Sequence, residues 1–308
     1  MHPVLFRVGN VPVHSYGTML AIAFLVGIAL LHRHARFTPE LKPDRIIDVA
    51  LFVLIGSLIG ARVMYVLLNM GQFETPLEML YVNRGGLSFH GGLLGALLAG
   101  VLFSRIYRVP FWRMADQFMP SLAIGYAITK IGCFLNGCCI GRPTGHDWGC
   151  RFPDPFVKGA LTPPSHPAQL YDSAANILLC FVMVAALYRK RFHGQVFLLY
   201  LVTYSAIRFV IEGFRKGVSA KIMLAGASSP ATGQPSSFFA WPFTEAQWAS
   251  IAIAAISAGI LIWQLRKAPK ERLPIPPVPV AEAADRAAAL SVKKKPKKHS
   301  RRSPTPKR

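Results

Sequence analysis

Seven apolar stretches, each long enough to cross a bilayer, constrain this chain more than any other feature. A hydrocarbon core about 30 Å thick takes roughly 20 apolar residues of helix. Residues 13–31, 46–68, 87–105, 117–135, 168–188, 195–212 and 246–265 all meet that requirement. Inside lipid every backbone N–H and C=O must find a partner within its own segment, and the helix provides that. The pattern predicts an all-α integral membrane protein of seven transmembrane helices, contained in residues 1–265. The first stretch does not read as a cleavable leader: only Arg7 precedes it and no small-x-small site follows. Five cysteines in 308 residues exclude a disulfide-held miniprotein.

The formal net charge of +21 would by itself point to a nucleic-acid partner. Its distribution points elsewhere. Residues 266–308 hold 14 Lys+Arg and three acids. If the N-terminus is outside, the inside segments 32–45, 105–116 and 189–194 hold ten Lys+Arg in 32 residues, against eight in 95 on the other side. Inside loops carry the excess of Lys and Arg, so the chain is expected to run from an outside N-terminus to a cytoplasmic C-terminus. Residues 266–308 read as a Pro-rich, basic cytoplasmic tail, with PIPPVPV at 274–280 an extended linker and 293–308 disordered. Such a tail is either simply solvated or drawn to anionic lipid. Nothing in the chain resembles a base-reading fold, and no nucleic-acid partner is expected.

Ionisable groups inside spans are costly, and they usually face protein or a watery cavity. With alternating helix directions, those of six helices fall at one depth, toward the external side. Tyr16 lies near the start of the first helix, Arg62 late in the second and His90 at the start of the third. Lys130 and Asn136 lie late in the fourth, Tyr171 and Asp172 at the start of the fifth, and Arg208 and Glu212 at the end of the sixth. Asp48 falls at the opposite face. Each has a plain structural alternative. Arg62 and Lys130 can snorkel to headgroups, the tyrosines can sit in an interfacial belt, and Arg208 with Glu212, four apart, can simply pair. Taken together, the cations suit a phosphate, His90 suits proton transfer near neutral pH, and Gly91 and Gly92 permit close approach of a ligand or another helix. This chemistry supports phospholipid binding or phosphoester chemistry without fixing the reaction.

Five segments in order resemble the prolipoprotein diacylglyceryl transferases, enzymes of the bacterial inner membrane. They are HSYG at 14–17, GGLSFHGGLLG at 85–95, KIGCFLNGCCIGR at 130–142, SHPAQLYD at 165–172 and RFVIEGFR at 208–215. The resemblance covers roughly residues 10–265. It implies transfer of an sn-1,2-diacylglyceryl group from phosphatidylglycerol to the lipobox cysteine of a prolipoprotein, giving a thioether and glycerol 1-phosphate, with no cofactor and no metal. It further implies His90 as base, Tyr16 as an orienting group and Arg208 as phosphate ligand, oriented by Glu212. Lys130, Asn136, Gly141, Gly91, Gly92, Tyr171 and Asp172 would line the substrates. Three positions depart from the family pattern. Lys130 stands where an Arg is usual, Cys133 where an Asn is common, and Asp172 where a Glu is often found. A phospholipid-binding or lipid-transporting homologue without transfer is the main alternative. An ion or solute transporter is a third reading, for which the chain shows no inverted repeat.

Cys133, Cys138, Cys139 and Cys150 lie toward the outer face, where a bridge from Cys138 or Cys139 to Cys150 is permitted. The C-x4-C-C spacing is not a standard zinc pattern, and free structural thiols are the remaining reading. Cys180 reads as packing within the fifth span. The GxxxG pairs Gly56/Gly60 and Gly91/Gly95 predict close helix packing.

Overall fold

Each apolar stretch forms a helix. The computed structural model describes residues 2–9, 11–34, 37–42, 44–73, 75, 77–80, 86–154, 160–215 and 243–274. The helices are α1 Ser15–Arg33, α2 Arg45–Leu68, α3 Phe89–Tyr107, α4 Phe111–Asn136, α5 Ala168–Leu187, α6 Gln195–Phe214 and α7 Glu245–Lys267. All seven are long and apolar enough to cross a membrane. Leu93, Leu98, Leu178, Phe181, Ile55 and Ile256 are among the large apolar side chains that project outward along them. In water such a belt would drive aggregation; in a bilayer it is the lipid-facing surface. The chain is a multi-pass membrane protein. The linker at 275–280 and the basic end lie outside the described residues.

Among the described residues, a β-hairpin departs from the all-helical expectation. Val4–Val8 and Val11–His14 pair as a two-stranded antiparallel hairpin, β1–β2, with Val8 opposite Val11. The hairpin leads directly into α1, and the His2 N–H donates to the Leu135 carbonyl at the end of α4 (3.1 Å). The N-terminal segment is thereby laid against the same end of the bundle as the polar groups.

Among the described residues, packing divides between two apolar clusters. Leu31, Leu41, Ile46, Val49, Phe103, Val109 and Met114 join the ends of α1 to α4. Met119, Ala123, Leu179, Met183, Leu187, Val196 and Tyr200 join α4, α5 and α6. The α2–α3 seam is glycine on both sides. A Cβ on Gly60 would collide with the Gly91 carbonyl oxygen, and one on Gly95 with the Gly56 carbonyl. Backbone meets backbone there, as the GxxxG spacing predicts.

The fourth helix begins six residues earlier than its apolar stretch, and the added turns carry a buried carboxylate. Asp116 is fully buried. Its Oδ2 accepts from Lys190 Nζ (3.0 Å) and the Gly194 N–H (2.9 Å), and its Oδ1 from the Val196 and Phe197 N–H groups (2.9 and 3.0 Å). The first N–H groups of a helix have no partner inside it. Asp116 caps α6 from a different helix, and its negative charge suits the positive end of that helix.

Candidate active site

The end of the bundle holding α4's C-terminus, α5's N-terminus and α6's C-terminus carries most of the expected polar residues. Lys130 and Asp172 are both buried and form an ion pair, Nζ to Oδ2, at 3.0 Å. The same carboxylate accepts from the Tyr126 hydroxyl (3.1 Å) and from Asn176 Nδ2 (3.1 Å). Lys130 also stands 4.9 Å from the centre of the Tyr126 ring. Its charge is therefore balanced by protein, which the sequence alone did not reveal because neither snorkelling nor phosphate binding needs Asp172 as partner.

On α6, Arg208 Nη1 lies 2.6 Å from Glu212 Oε2, and Arg215 approaches the same oxygen at 3.9 Å. One carboxylate thus holds two guanidinium groups at the helix end. Arg presents five N–H donors in a planar fork, so an Arg208 held by one of its nitrogens retains others for an anion. A small antiparallel network joins this end to the loop after α4. The Arg142 N–H donates to the Phe214 carbonyl (2.8 Å), Arg142 Nε donates to the Arg215 carbonyl (2.9 Å), and the His166 N–H donates to the Arg142 carbonyl (2.9 Å). Gly141 sits inside that network. A side chain there would run into the His166 backbone.

Beside it is an aromatic cavity of about 450 Å³ lined by His146, Trp148, His166, Tyr171 and Phe214. The His146 and Trp148 rings stack at 4.4 Å. Trp148 Nε1 donates to the Tyr171 hydroxyl (3.0 Å), which also lies 3.4 Å from His166 Nδ1. The sequence motifs contain Tyr171, His166 and Phe214, whereas His146 and Trp148 lie outside them, their only signal being aromatic density in a loop.

Asn136 is the last residue of α4. After it, Gly137 takes φ +75°, a left-handed conformation that glycine adopts without steric cost. The Gly137 N–H donates to Phe134 and the Cys138 N–H to Cys133, closing the helix with a left-handed turn. That turn folds Cys138 and Cys139 back over Cys133. Hydrogen bonds from the Cys133 and Cys138 thiols, reinforced by the charges of Lys130 and Arg215, hold the Cys139 thiol well below the ordinary thiol range. All five cysteines are free, so the bridge to Cys150 is not formed. Cys138 and Cys139 turn toward Cys133 instead.

Tyr16, 38% exposed, packs where Gly132 brings α4 close to α1. His90 is exposed in the first turn of α3, which Ser88 caps by accepting from the Gly91 N–H (3.5 Å). Gly91 and Gly92 are buried against α2, at Gly60 and Ser57. Of the two uses open to those glycines, the structure shows helix packing. Arg62 donates to the carbonyls of Met79 (2.7 Å), Glu78 (2.9 Å) and Gly86 (3.0 Å), so it ties down the segment leading into α3. His90 thus sits on the α2–α3 pair, whereas Lys130, Asp172, Arg208 and Glu212 sit on α4, α5 and α6.

A sequence profile described as prolipoprotein diacylglyceryl transferase matches residues 3–263. A phosphatidylglycerol--prolipoprotein diacylglyceryl transferase of Acaryochloris marina is 37% identical over 223 residues, covering 69% of this chain and 79% of the relative. The enzyme of that name from Geobacter sulfurreducens is 35% identical over 231 residues, covering 74% and 87%. That from Bordetella parapertussis is 30% identical over 269 residues, covering 86% and 95%. Matched along all seven spans, the chain belongs to the prolipoprotein diacylglyceryl transferase family.

Proposed function

We propose that this protein transfers the sn-1,2-diacylglyceryl group of phosphatidylglycerol to the lipobox cysteine of a prolipoprotein, at the periplasmic leaflet of a bacterial inner membrane. The observation that carries the reading is the family match over residues 3–263, which takes in every element that builds the polar end of the bundle. The excess of Lys and Arg in 32–45, 105–116 and 189–194 supports a periplasmic N-terminus and a cytoplasmic C-terminus. Residues 1–265 are the catalytic unit and 266–308 an accessory tail.

In the proposed reaction the substrate thiol loses its proton, because the thiolate is the nucleophile. The thiolate attacks the diacylglyceryl carbon that bears the phosphate ester. A C–S bond forms, the C–O bond breaks with its electron pair going to oxygen, and glycerol 1-phosphate leaves with one more negative charge. Arg208, oriented by Glu212, meets that developing charge; preorganised donors at such a point contribute most to the rate. His90 takes the thiol proton and Tyr16 orients the substrate at the α1–α4 contact. Asn136, Gly141 and Tyr171 form the lining. Lys130 and Asp172 act as a neutral pair that fixes Tyr126 beside it, and Gly91 and Gly92 hold His90's helix against α2.

The test is the full-length chain in lipid nanodiscs containing phosphatidylglycerol, incubated with a lipobox peptide. The expected products are a diacylglyceryl thioether on the peptide and an equal amount of glycerol 1-phosphate. No thioether, beside a working control enzyme, refutes the proposal. Arg208→Ala is expected to lower turnover by about 10²–10³-fold with normal insertion; turnover near wild type removes Arg208 from the mechanism. The neutralised Lys130 favours one second reading, a lipid-binding homologue without transfer. Stable phosphatidylglycerol binding without product, with transfer restored by Lys130→Arg, would establish it.

A further inference from the structure

We propose that Cys133, Cys138 and Cys139 form a three-thiolate binding site for a thiophilic d10 metal ion, of which Zn2+ is the type, at the outer end of α4. Their sulfur atoms all lie within 4.8 Å of one another. In a tetrahedral site with metal–sulfur bonds of about 2.3 Å, the sulfurs stand roughly 3.8 Å apart. The three therefore need to close by at most about 1 Å, which small side-chain rotations supply. A disulfide would use two of them and leave the third without purpose at the same short range.

The backbone is arranged to bring the thiols together. The turn at Gly137 reverses the chain so that the Cys138 N–H reaches the Cys133 carbonyl (3.1 Å). Cys139 then takes φ +60°, a conformation that costs a non-glycine residue about 1–2 kcal/mol. That strained geometry carries its sulfur to the other two. Burial is graded as a loaded site requires: Cys133 is buried, Cys138 half-buried and Cys139 exposed, so the ion has an anchored floor and a path in. Three thiolates and a divalent ion leave one net negative charge, and the positive charges of Lys130 and Arg215 act on Cys139. Among the described residues no fourth His, Cys, Asp or Glu joins the group. The fourth position falls to a solvent ligand.

The experiment uses the full-length chain, purified in detergent with reductant and then titrated anaerobically with Co2+. The expected result is about one Co2+ per chain with the near-ultraviolet charge-transfer absorption of thiolate ligation, displaced by Zn2+. That absorption is lost in Cys133→Ser and in Cys139→Ser and kept in Cys180→Ser. Because Cys139 is exposed, its variant remains informative if Cys133→Ser fails to fold. Absence of thiolate absorption, its survival in Cys139→Ser, or recovery of a metal-free chain with a disulfide inside the cluster each overturns the site. The readout is independent of diacylglyceryl transfer.

Discussion

Replacing Lys130 with methionine removes a charge and leaves its partner behind. At the observed 3.0 Å, two unit charges in a medium of effective dielectric constant near 20 attract by about 5 kcal/mol. Asp172 keeps its hydrogen bonds from Tyr126 and Asn176, but both donors are neutral and the carboxylate is only 2% exposed. Breaking a buried pair from one side typically costs about 3–5 kcal/mol, because an uncompensated charge remains. Lys130→Met is therefore expected to lower the melting midpoint of the purified protein by roughly 10 °C. Asp172→Asn strands the ammonium and behaves similarly. Combining the two removes both charges, and the double variant should recover at least half of the loss, since neutral replacement of a buried pair is often close to neutral in stability. A thermal-shift double-mutant cycle on all four proteins measures the coupling directly. If Lys130→Met costs less than about 1 kcal/mol, or the losses simply add, Lys130 is not held by Asp172 and the assignment of its charge fails.

Three further predictions concern other parts of the molecule. Asp116→Ala leaves Lys190 buried without its partner and uncaps α6. It is expected to cost about 3–5 kcal/mol, read as loss of folded protein after extraction, with Asp116→Glu partly tolerated. Gly60→Leu places a side chain against the Gly91 carbonyl; overpacking of about 1–3 kcal/mol or more should separate α2 from α3, measured as loss of a cross-link between cysteines introduced at the seam. Burial, with Lys190 and Arg113 adding to it, pushes the His193 pKa below the ordinary histidine value. A group with a lowered folded pKa lends stability above its unfolded pKa, and that stability is lost as pH falls from about 6.5. His193→Asn should therefore flatten the fall in melting midpoint below that pH; an unchanged slope removes His193 from the acid response.

The spans were legible because length and apolarity are the whole requirement for crossing lipid, and six of the seven helices begin within two residues of the expected start. The fourth was misjudged at its start because Arg113 and Asp116 look like loop residues until Lys190, 74 positions later, supplies a partner. The hairpin was missed although its signal was present: alternating apolar residues flank Gly9 and Asn10. Among site residues, Arg208 and Glu212 were legible as a pair because helix spacing alone brings them together. Lys130 and Asp172 were not, since their pairing depends on how α4 packs against α5. The cysteine cluster was hidden for a different reason. The C-x4-C-C spacing matches no standard ligand pattern, and the convergence arises from the direction of a turn.

The Asp116 knot also bears on how the protein is made. Its carboxylate belongs to α4, and all four of its donors lie between Lys190 and Phe197. Ribosomes deliver a chain from its N-terminus, so the acceptor is in place before any donor is synthesised. The turn between α5 and α6 then has one fixed point on which to close, and the last helices are added to a bundle whose register is already set. A nascent chain released before Lys190 would lack every donor to Asp116 and would carry that carboxylate uncompensated.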